Sequence, residues 1–575
     1  MKSFRLSYAL PLAVAAIIAP PSAARSQVVA PSQVTPETLR PASPSAPAPP
    51  QILGAEPLQA PVGAEKLSFI VGRVTINGAF PEFDSETRAF IHIVQGHRVT
   101  VARIYELANA MEQAYARAGY VLVRVTVPEQ KLNDHGLLRI VVVDGFVEKV
   151  QIDNVPEQVR ALVAARMSSL IGRRHIKLTE IERRLLISGD VPGLRLKSTL
   201  ERGKTTGGVR LVLEGTHQVV TATATIDDRM PASLGTWTYG TTVAINSAFG
   251  FGEQLYGSAQ AGGDLGEAFD PASPLRVLGA GAVLPLGLDG WTVNPEYTYS
   301  RTLPEPPAGG LVNLGTFDRF AVRTTYPVIR TRTQTFSLNG AFEYIDQTLF
   351  LPALNSELNH DRYSVLRAGP ALDTALPWLG ESLQAAAVFS HGLGGRNAED
   401  AVESGIPLSR PGSGPFFSKA TFDGRLVQPL TEGFRFDLIA HAQTSFGQPM
   451  MLPEQFFLDG PTAISSYPIG SLPVDEGATL RAELSRPFSV PEIKIPVVLS
   501  PYLFGAYGAG RLDDPTPLEV ATVRAAAFGV GVRSNIDLPG GYQSFSVALE
   551  AARQYSNLPT LPQAWRENVI LNMRF

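Results

Sequence analysis

The side chains that most often carry out chemistry are few in this chain and poorly placed for it. There is no cysteine, which excludes disulfides, thiolate zinc sites and cysteine nucleophiles together. The eight histidines are scattered; His92 and His97 stand five apart and share no helical face, and no HExxH pair occurs. No G-x-S-x-G elbow is present. Gly508 and Gly510 lie in strand-like sequence without the strand, turn and helix that a phosphate-cradling loop needs, where glycine more often relieves crowding. Asp513 and Asp514, beside Pro515, read as a solvated turn rather than a metal site. A net charge of −4 offers no basic surface for phosphate neutralisation, so nucleic acid is not an expected partner. The expectation is a protein without catalytic residues, cofactor or metal.

The elements that position these residues are mostly strands. Charged residues make up 18%, below the roughly 25% of ordinary soluble chains, and 52 glycines and 46 prolines leave little room for a helical protein. Lys2 and Arg5, the apolar run Leu6 to Ala19 and the small residues Ser22 to Ser26 have the layout of a cleavable export signal over residues 1–26. Prolines recur through 27–64 and favour an extended, unpaired linker. Beyond the signal no apolar run is long enough for a spanning helix, so a membrane location requires a closed barrel.

Residues 65–145 read as strand, helix, strand, strand. Phe69, Val71, Val74 and Ile76 mark the first strand, and Ile104, Leu107, Ala108, Met111, Tyr115 and Ala118 one helix face that Gly119 ends with a left-handed cap. Strands over 121–127 and 137–143 follow. Residues 146–216 repeat that grammar: a strand over 147–152, helices over 156–170 and 178–187, then closing strands.

From 217 to 575 the period becomes two, with Thr221, Thr223 and Thr225 alternating with Ala222, Ala224 and Ile226. Similar segments recur at 237–245, 255–261, 319–326, 335–344, 383–389, 435–442 and 526–536, separated by Gly and Pro clusters. At roughly ten residues per crossing plus connections, this length accommodates a transmembrane antiparallel β-barrel of about sixteen strands. In the last segment Val569, Leu571, Met573 and the terminal Phe575 point one way, Asn572 and Arg574 the other, matching a lipid face and a lumen face.

Several of these strings resemble the outer-membrane transporters of two-partner secretion, the TpsB or haemolysin secretion and activation proteins. Gly119-Tyr120, Val127-Pro128-Glu129-Gln130, Gly136 and Val143-Asp144-Gly145 are similar to that family's first polypeptide-transport-associated (POTRA) domain. Leu185-Leu186, Asp190 to Leu194 and Val209 to Glu214 resemble its second, and Ile226 to Asp228 with Phe249 to Leu255 its first barrel hairpin.

The resemblance implies a mainly-β fold, two small α+β POTRA domains in the periplasm followed by a barrel in the bacterial outer membrane. It implies a large secreted exoprotein as cargo, recognised through POTRA residues including Gly119, Tyr120, Pro128, Gln130 and Gly136, and conducted outward without ATP. Outer-membrane lipid and, during biogenesis, the barrel assembly machinery that reads the terminal Phe575 are the other implied partners.

Glu454 to Tyr467 is similar to the family's long loop folded back into the pore, with Gly460 ahead of a tip that normally reads Val-Arg-Gly-Tyr and here reads Ile464-Ser465-Ser466-Tyr467. The wall segment that usually supplies a partner aspartate reads Ala506-Tyr507-Gly508-Ala509-Gly510, with Gly508 at that place. The expectation is that both members of an ion pair are missing together. The Pro-rich stretch after the signal does not resemble the family's N-terminal plug helix, because proline inside a helix costs about 3 kcal/mol. No plug is expected. An assembly insertase of the same superfamily and a passive porin or receptor are the alternative readings.

Overall fold

The computed structural model describes residues 29–41, 51–52, 58–263, 270, 272–306, 308–376, 380–490, 496–517, 519–538 and 543–575, without the side chains of 51–52 and 380–381. The export signal expected over 1–26 lies outside these residues. Ahead of the first folded unit stand one helical turn, α1 (Pro31–Val34), and a two-residue strand, β1 (Gln51–Ile52).

The first unit runs β2 (Ser68–Asn77), α2 (Asp84–Val94), β3 (Arg98–Thr100), α3 (Val101–Arg117), β4 (Arg124–Thr126), β5 (Gly136–Val143), with sheet order β3-β2-β5-β4. Helix α3 starts where Thr100 accepts the Arg103 amide at 3.1 Å, a side-chain N-cap. It buries Val101, Ile104, Ala108, Met111 and Tyr115, one stripe at three- and four-residue spacing. Gly119 follows at φ +96°, where a Cβ would be strained. The first helix, α2, is absent from the sequence reading. Its mixed Asp-Ser-Glu-Thr-Arg start obscures the apolar stripe, of which Phe90 and Val94 are buried.

The second unit has the same layers: β6 (Phe146–Asn154), α4 (Glu157–Met167), α5 (Leu178–Gly189), β7 (Leu194–Arg202) and β8 (Gly208–His217). Its sheet order is β1-β7-β8-β6, so the linker strand completes it: Gln51 and Ile52 pair in parallel with Thr199 and Leu200. This corrects the expectation of an unpaired linker. A strand edge left open offers a row of backbone donors and acceptors that any extended segment can satisfy.

The rest of the chain closes into a barrel. Its strands are β9 (Val220–Asp227), β10 (Thr238–Asn246), β11 (Gln254–Gly262), β12 (Leu275–Leu286), β13 (Trp291–Thr302), β14 (Leu314–Arg330), β15 (Gln334–Leu351), β16 (Ser356–Leu376), β17 (Gly380–Gly395), β18 (Ser418–Pro429) and β19 (Arg435–Thr444). After the helix α6 (Ala398–Ser404) in the β17–β18 loop and the small hairpin β20 (Phe456–Phe457) and β21 (Pro473–Val474) in the β19–β22 loop, the wall resumes. It continues with β22 (Glu476–Ser485), the short β23 (Phe488–Ser489), β24 (Val497–Arg511), β25 (Thr522–Asp537), β26 (Ser544–Ser556) and β27 (Trp565–Arg574). Each long strand pairs antiparallel with its neighbour and β27 returns to β9, a closed ring of sixteen long strands.

Alternation decides which face meets lipid. Phe320 and Leu366 are exposed outward while the adjacent Arg319 and Arg367 turn into the lumen, and Leu480 and Leu503 repeat this beside Arg481 and Phe504. In lipid every backbone polar group must be satisfied within the protein, which a closed ring does. Among the described residues no helix is long and apolar enough to cross a membrane. The seam is the shortest join between long strands, with five pairs from Ile570–Asp227 to Arg574–Thr223, extended by reciprocal Phe575–Ala222 backbone bonds at 2.8 and 3.1 Å.

Candidate functional site

The lumen is lined along β13 to β18 by largely buried charges that alternate in sign. Glu296 on β13 meets Arg323 on β14 at 2.9 Å, which meets Glu343 on β15 at 3.1 Å. Arg367 on β16 bonds Glu343 at 3.0 Å and Glu454 at 2.6 Å, and Lys419 on β18 reaches Glu454 at 2.8 Å. A buried charge stripped of its partner costs about 3–5 kcal/mol, so such residues are tolerated only as a connected series.

Glu454 is not on the wall. It opens the loop between β19 and β22, which folds inward, and its carboxylate also accepts the Tyr363 hydroxyl at 2.8 Å. The other end of the loop is held by Asp475, fully buried, which takes Arg410 of the β17–β18 loop at 2.6 Å and the Asp513 amide of the β24–β25 loop at 2.8 Å. Asp513, expected in a solvated turn, thus belongs to a junction of three loops.

Between these anchors the loop presents the residues read from sequence. Gly460 adopts φ +145°, and Ile464, Ser465, Ser466 and Tyr467 are all buried. The Ser465 hydroxyl donates to Glu550 on β26 and accepts from Arg481 Nη1 on β22 at 2.7 Å. Arg481, 1% exposed, also bonds Glu483 and Glu550 at 2.6 Å each and lies over the Phe504 ring. Asn568 on β27 donates to Ser465 O at 3.0 Å.

With Ser465 at the tip and Gly508 on β24, neither member of the family's ion pair is present, and another wall residue, Arg481, brings a guanidinium to the same tip. Gly508 faces the folded-back loop closely: a Cβ there would lie 3.1 Å from Ile464 Cδ1 and 3.3 Å from Leu458 Cβ, which leaves little room for a larger side chain. Gly510 abuts Val474 in the same way, and Tyr507 points outward, 54% exposed. The sequence signal for Arg481 was the run Leu480-Arg481-Ala482-Glu483-Leu484, whose alternation places both charges inward.

A second object fills the lumen. Residues 29–41 run along β13 to β15, with Leu39 seated beside Ala244, Tyr256 and Val283. The Pro-rich stretch, to which the sequence assigns no plug helix, thus places one helical turn and the residues around it inside the barrel. Proline is costly within a helix, but here Pro31 starts a single turn, where its missing donor is not needed, and the turn ends at Thr35.

The five POTRA positions occupy two places. Gly119 and Tyr120 form the joint between units: Gly119 O accepts the Leu178 amide at 2.8 Å, and Lys177 lies over the Tyr120 ring. The Tyr120 hydroxyl donates to Glu82 at 2.6 Å, which pushes the phenol up to about 12 and holds the carboxyl below its ordinary range. Pro128, Gln130 and Gly136 flank β5, where the Gln130 amide bonds both Arg139 N and Arg139 O at 2.8 Å, imitating a strand. The second unit is clamped to the barrel. Arg183 donates to Pro327 O at 2.9 Å, Asp190 pairs with Arg330 at 2.6 Å and Glu182 with Arg332 at 3.0 Å.

Comparison with known proteins agrees with this architecture. Residues 207–534 match the family model of the haemolysin secretion/activation proteins ShlB/FhaC/HecB, and residues 69–145 that of the ShlB-type POTRA domain. The chain is 22% identical over 496 residues to the outer membrane transporter CdiB of Escherichia coli, covering 82% of this chain and 78% of that one. It is 21% identical over 174 residues to the heme/hemopexin transporter protein HuxB of Haemophilus influenzae, 29% and 31% of the two chains. The solved structure of CdiB from Escherichia coli superposes with a TM-score of 0.67 at 19% identity, covering 95% of this chain and 94% of that one.

Proposed function

The chain belongs to the ShlB/FhaC/HecB family of haemolysin secretion/activation proteins, outer-membrane barrels with periplasmic POTRA domains, and on that premise we propose that it exports one large polypeptide. Residues 146–216 act as a second POTRA domain. The cargo is captured in the periplasm by strand addition, passes through the barrel and is drawn outward by folding outside, without ATP.

The observation that carries this reading is the linker strand. Gln51–Ile52 occupies the β7 edge in parallel, so the edge takes up extended backbone from within the molecule. A cargo segment satisfies the same donors and acceptors. Relatives are transporters, and the interior offers alternating charges along the wall.

Removing Lys66 to Thr216 tests the reading. The barrel should still insert, and one large protein should vanish from the culture medium. An unchanged medium counts against export.

The short β27–β9 seam favours a second reading, an insertase that opens sideways. The absence of cysteine makes the discrimination simple: T225C with N572C, directly paired residues, can be oxidised to lock the seam. Export through the lumen should continue when the seam is locked; an insertase should stop.

A further inference from the structure

The outward face of β12 to β16 changes character along the strands. Tyr297, Phe320 and Tyr344, directly paired across three strands, form an exposed aromatic row. Two residues further along, the same face carries Tyr299, Asp318, Asp346 and Arg362, again directly paired, and beyond them Arg276 opposite Arg301. These charges lie at the extracellular end, because β13 begins beside the second unit, where Asp289 of the preceding turn pairs with Arg184. The periplasmic edge of the face is apolar and aromatic, with Leu286, Trp291 and Tyr326 exposed. A charge on the lipid face is costly at the midplane and costs almost nothing at the interface, so the row from Asp318 to Arg362 marks the outer headgroup level.

The charges of this band do not satisfy one another. Asp318 stands directly opposite Asp346 and Arg276 directly opposite Arg301, and like charges so placed are destabilising. Arg362 is opposite Asp346, yet that carboxylate takes His360 Nε2 at 2.9 Å and Arg362 stays exposed. Among the described residues Arg276 and Arg362 make no ion pair, whereas the lumenal Arg323, Arg367 and Arg481 each hold two carboxylates. Each aspartate has one side-chain donor, the Tyr297 hydroxyl for Asp318 and His360 for Asp346. A carboxylate accepts about four hydrogen bonds, so both have acceptor sites to offer.

The order across the band restricts what fits. Arginines stand at its two sides and the aspartates between them, over four strand spacings, about 19 Å. A bare phosphate would meet the arginines but be repelled by the aspartates. A headgroup with phosphates at its ends and hydroxyls in its middle is complementary to the whole pattern.

We propose that this outward band binds a phosphorylated saccharide lipid of the outer leaflet, with Arg276 and Arg362 on its phosphates and Asp318 and Asp346 accepting from its sugar hydroxyls. Guanidinium groups take phosphate through paired, charge-assisted bonds, and basic residues at a membrane surface attract anionic headgroups. The inference rests on the outer-membrane location and is independent of export.

The full-length protein in detergent micelles, titrated with bis-phosphorylated lipid A, tests it, with bound lipid counted by native mass spectrometry. Binding should saturate. Dephosphorylated lipid A, which keeps the sugar, and phosphatidic acid, which keeps only the phosphate, should each bind about tenfold more weakly. R276Q/R362Q should raise the half-saturating concentration of lipid A about tenfold, and each single variant about threefold, which keeps the test open if the double variant fails to fold. R276K/R362K, which retains the charge but not the paired geometry, should fall between parent and R276Q/R362Q. D318N/D346N should narrow the gap between lipid A and phosphatidic acid, since it removes the charge that repels a bare phosphate. K131Q/K149Q, an equal loss of charge on the periplasmic units, should bind as the parent does. Equal binding of the three lipids, or arginine variants that bind lipid A as tightly as the parent, overturns the proposal.

Discussion

Arg481, on wall strand β22, donates across 2.7 Å to the hydroxyl of Ser465 at the tip of the folded-back loop, and its remaining nitrogens are taken by Glu483 and Glu550. The charge that fastens loop to wall is therefore carried by the wall. Both acidic partners are buried, so the arginine is needed to keep them so. R481A leaves Glu550 without a cation and should cost about 3 kcal/mol, the lower range for a broken buried pair because Arg533 still holds Glu483. The check is a lowered thermal midpoint in detergent together with new protease cleavage between 449 and 475. An unchanged midpoint would mean that the latch contributes nothing.

Returning the arginine to the loop should fail unless the wall gives up its own. S465R places two guanidinium groups together and should destabilise the barrel. S465R/R481S should recover much of that loss, because Glu550 regains a cation from the other side. Thermal midpoints of the two single variants and the double complete the cycle. G508D should not rescue S465R, since its side chain would meet Ile464 and Leu458; a rescue by G508D would reinstate the pairing expected from the family motif.

The linker strand should shield the β7 edge. I52P removes a backbone donor from β1 and should release it. The β7 amides that point away from β8, around Thr199 and Leu200, should then exchange with solvent roughly tenfold faster. Unaltered exchange there would show that the pairing is dispensable.

The hydrogen bond from Tyr120 to Glu82 predicts stability falling at both ends of the pH scale. The Glu82 carboxyl is held below its ordinary value by this bond, so its contribution is present at neutral pH and lost as pH falls through the depressed folded value. The Tyr120 phenol is raised to about 12, so its contribution is full below the unfolded value near 10 and is lost as pH climbs through about 12. Y120F should lower the midpoint of the first unit at neutral pH and flatten both limbs, as followed by thermal melts across pH. Parallel pH profiles for the two proteins would count against the bond.

Much of the barrel was legible in the residues because lipid on one side and water on the other impose period two on every strand. The segments at 335–344 and 526–536 lie within β15 and β25 for that reason. The loop was legible only through the resemblance of Glu454 to Tyr467 to the family's pore loop. Ends were less so: the expected strand over 121–127 shortens to Arg124–Thr126, since Tyr120 and Leu122 are consumed in packing between the units.

What sequence alone determined is the class of object: alternation along a strand needs no knowledge of neighbours, and it fixes which residues face lipid. Which lumenal groups meet is a question of register around a closed ring. Ser465 and Arg481 are sixteen residues apart, while Glu550 and Asn568 come from strands far along the chain. The position of residues 29–41 was likewise decided only by the folded wall, because beyond the single turn at Pro31–Val34 the segment forms no regular element that would declare its place, and it is held by the wall groups around it.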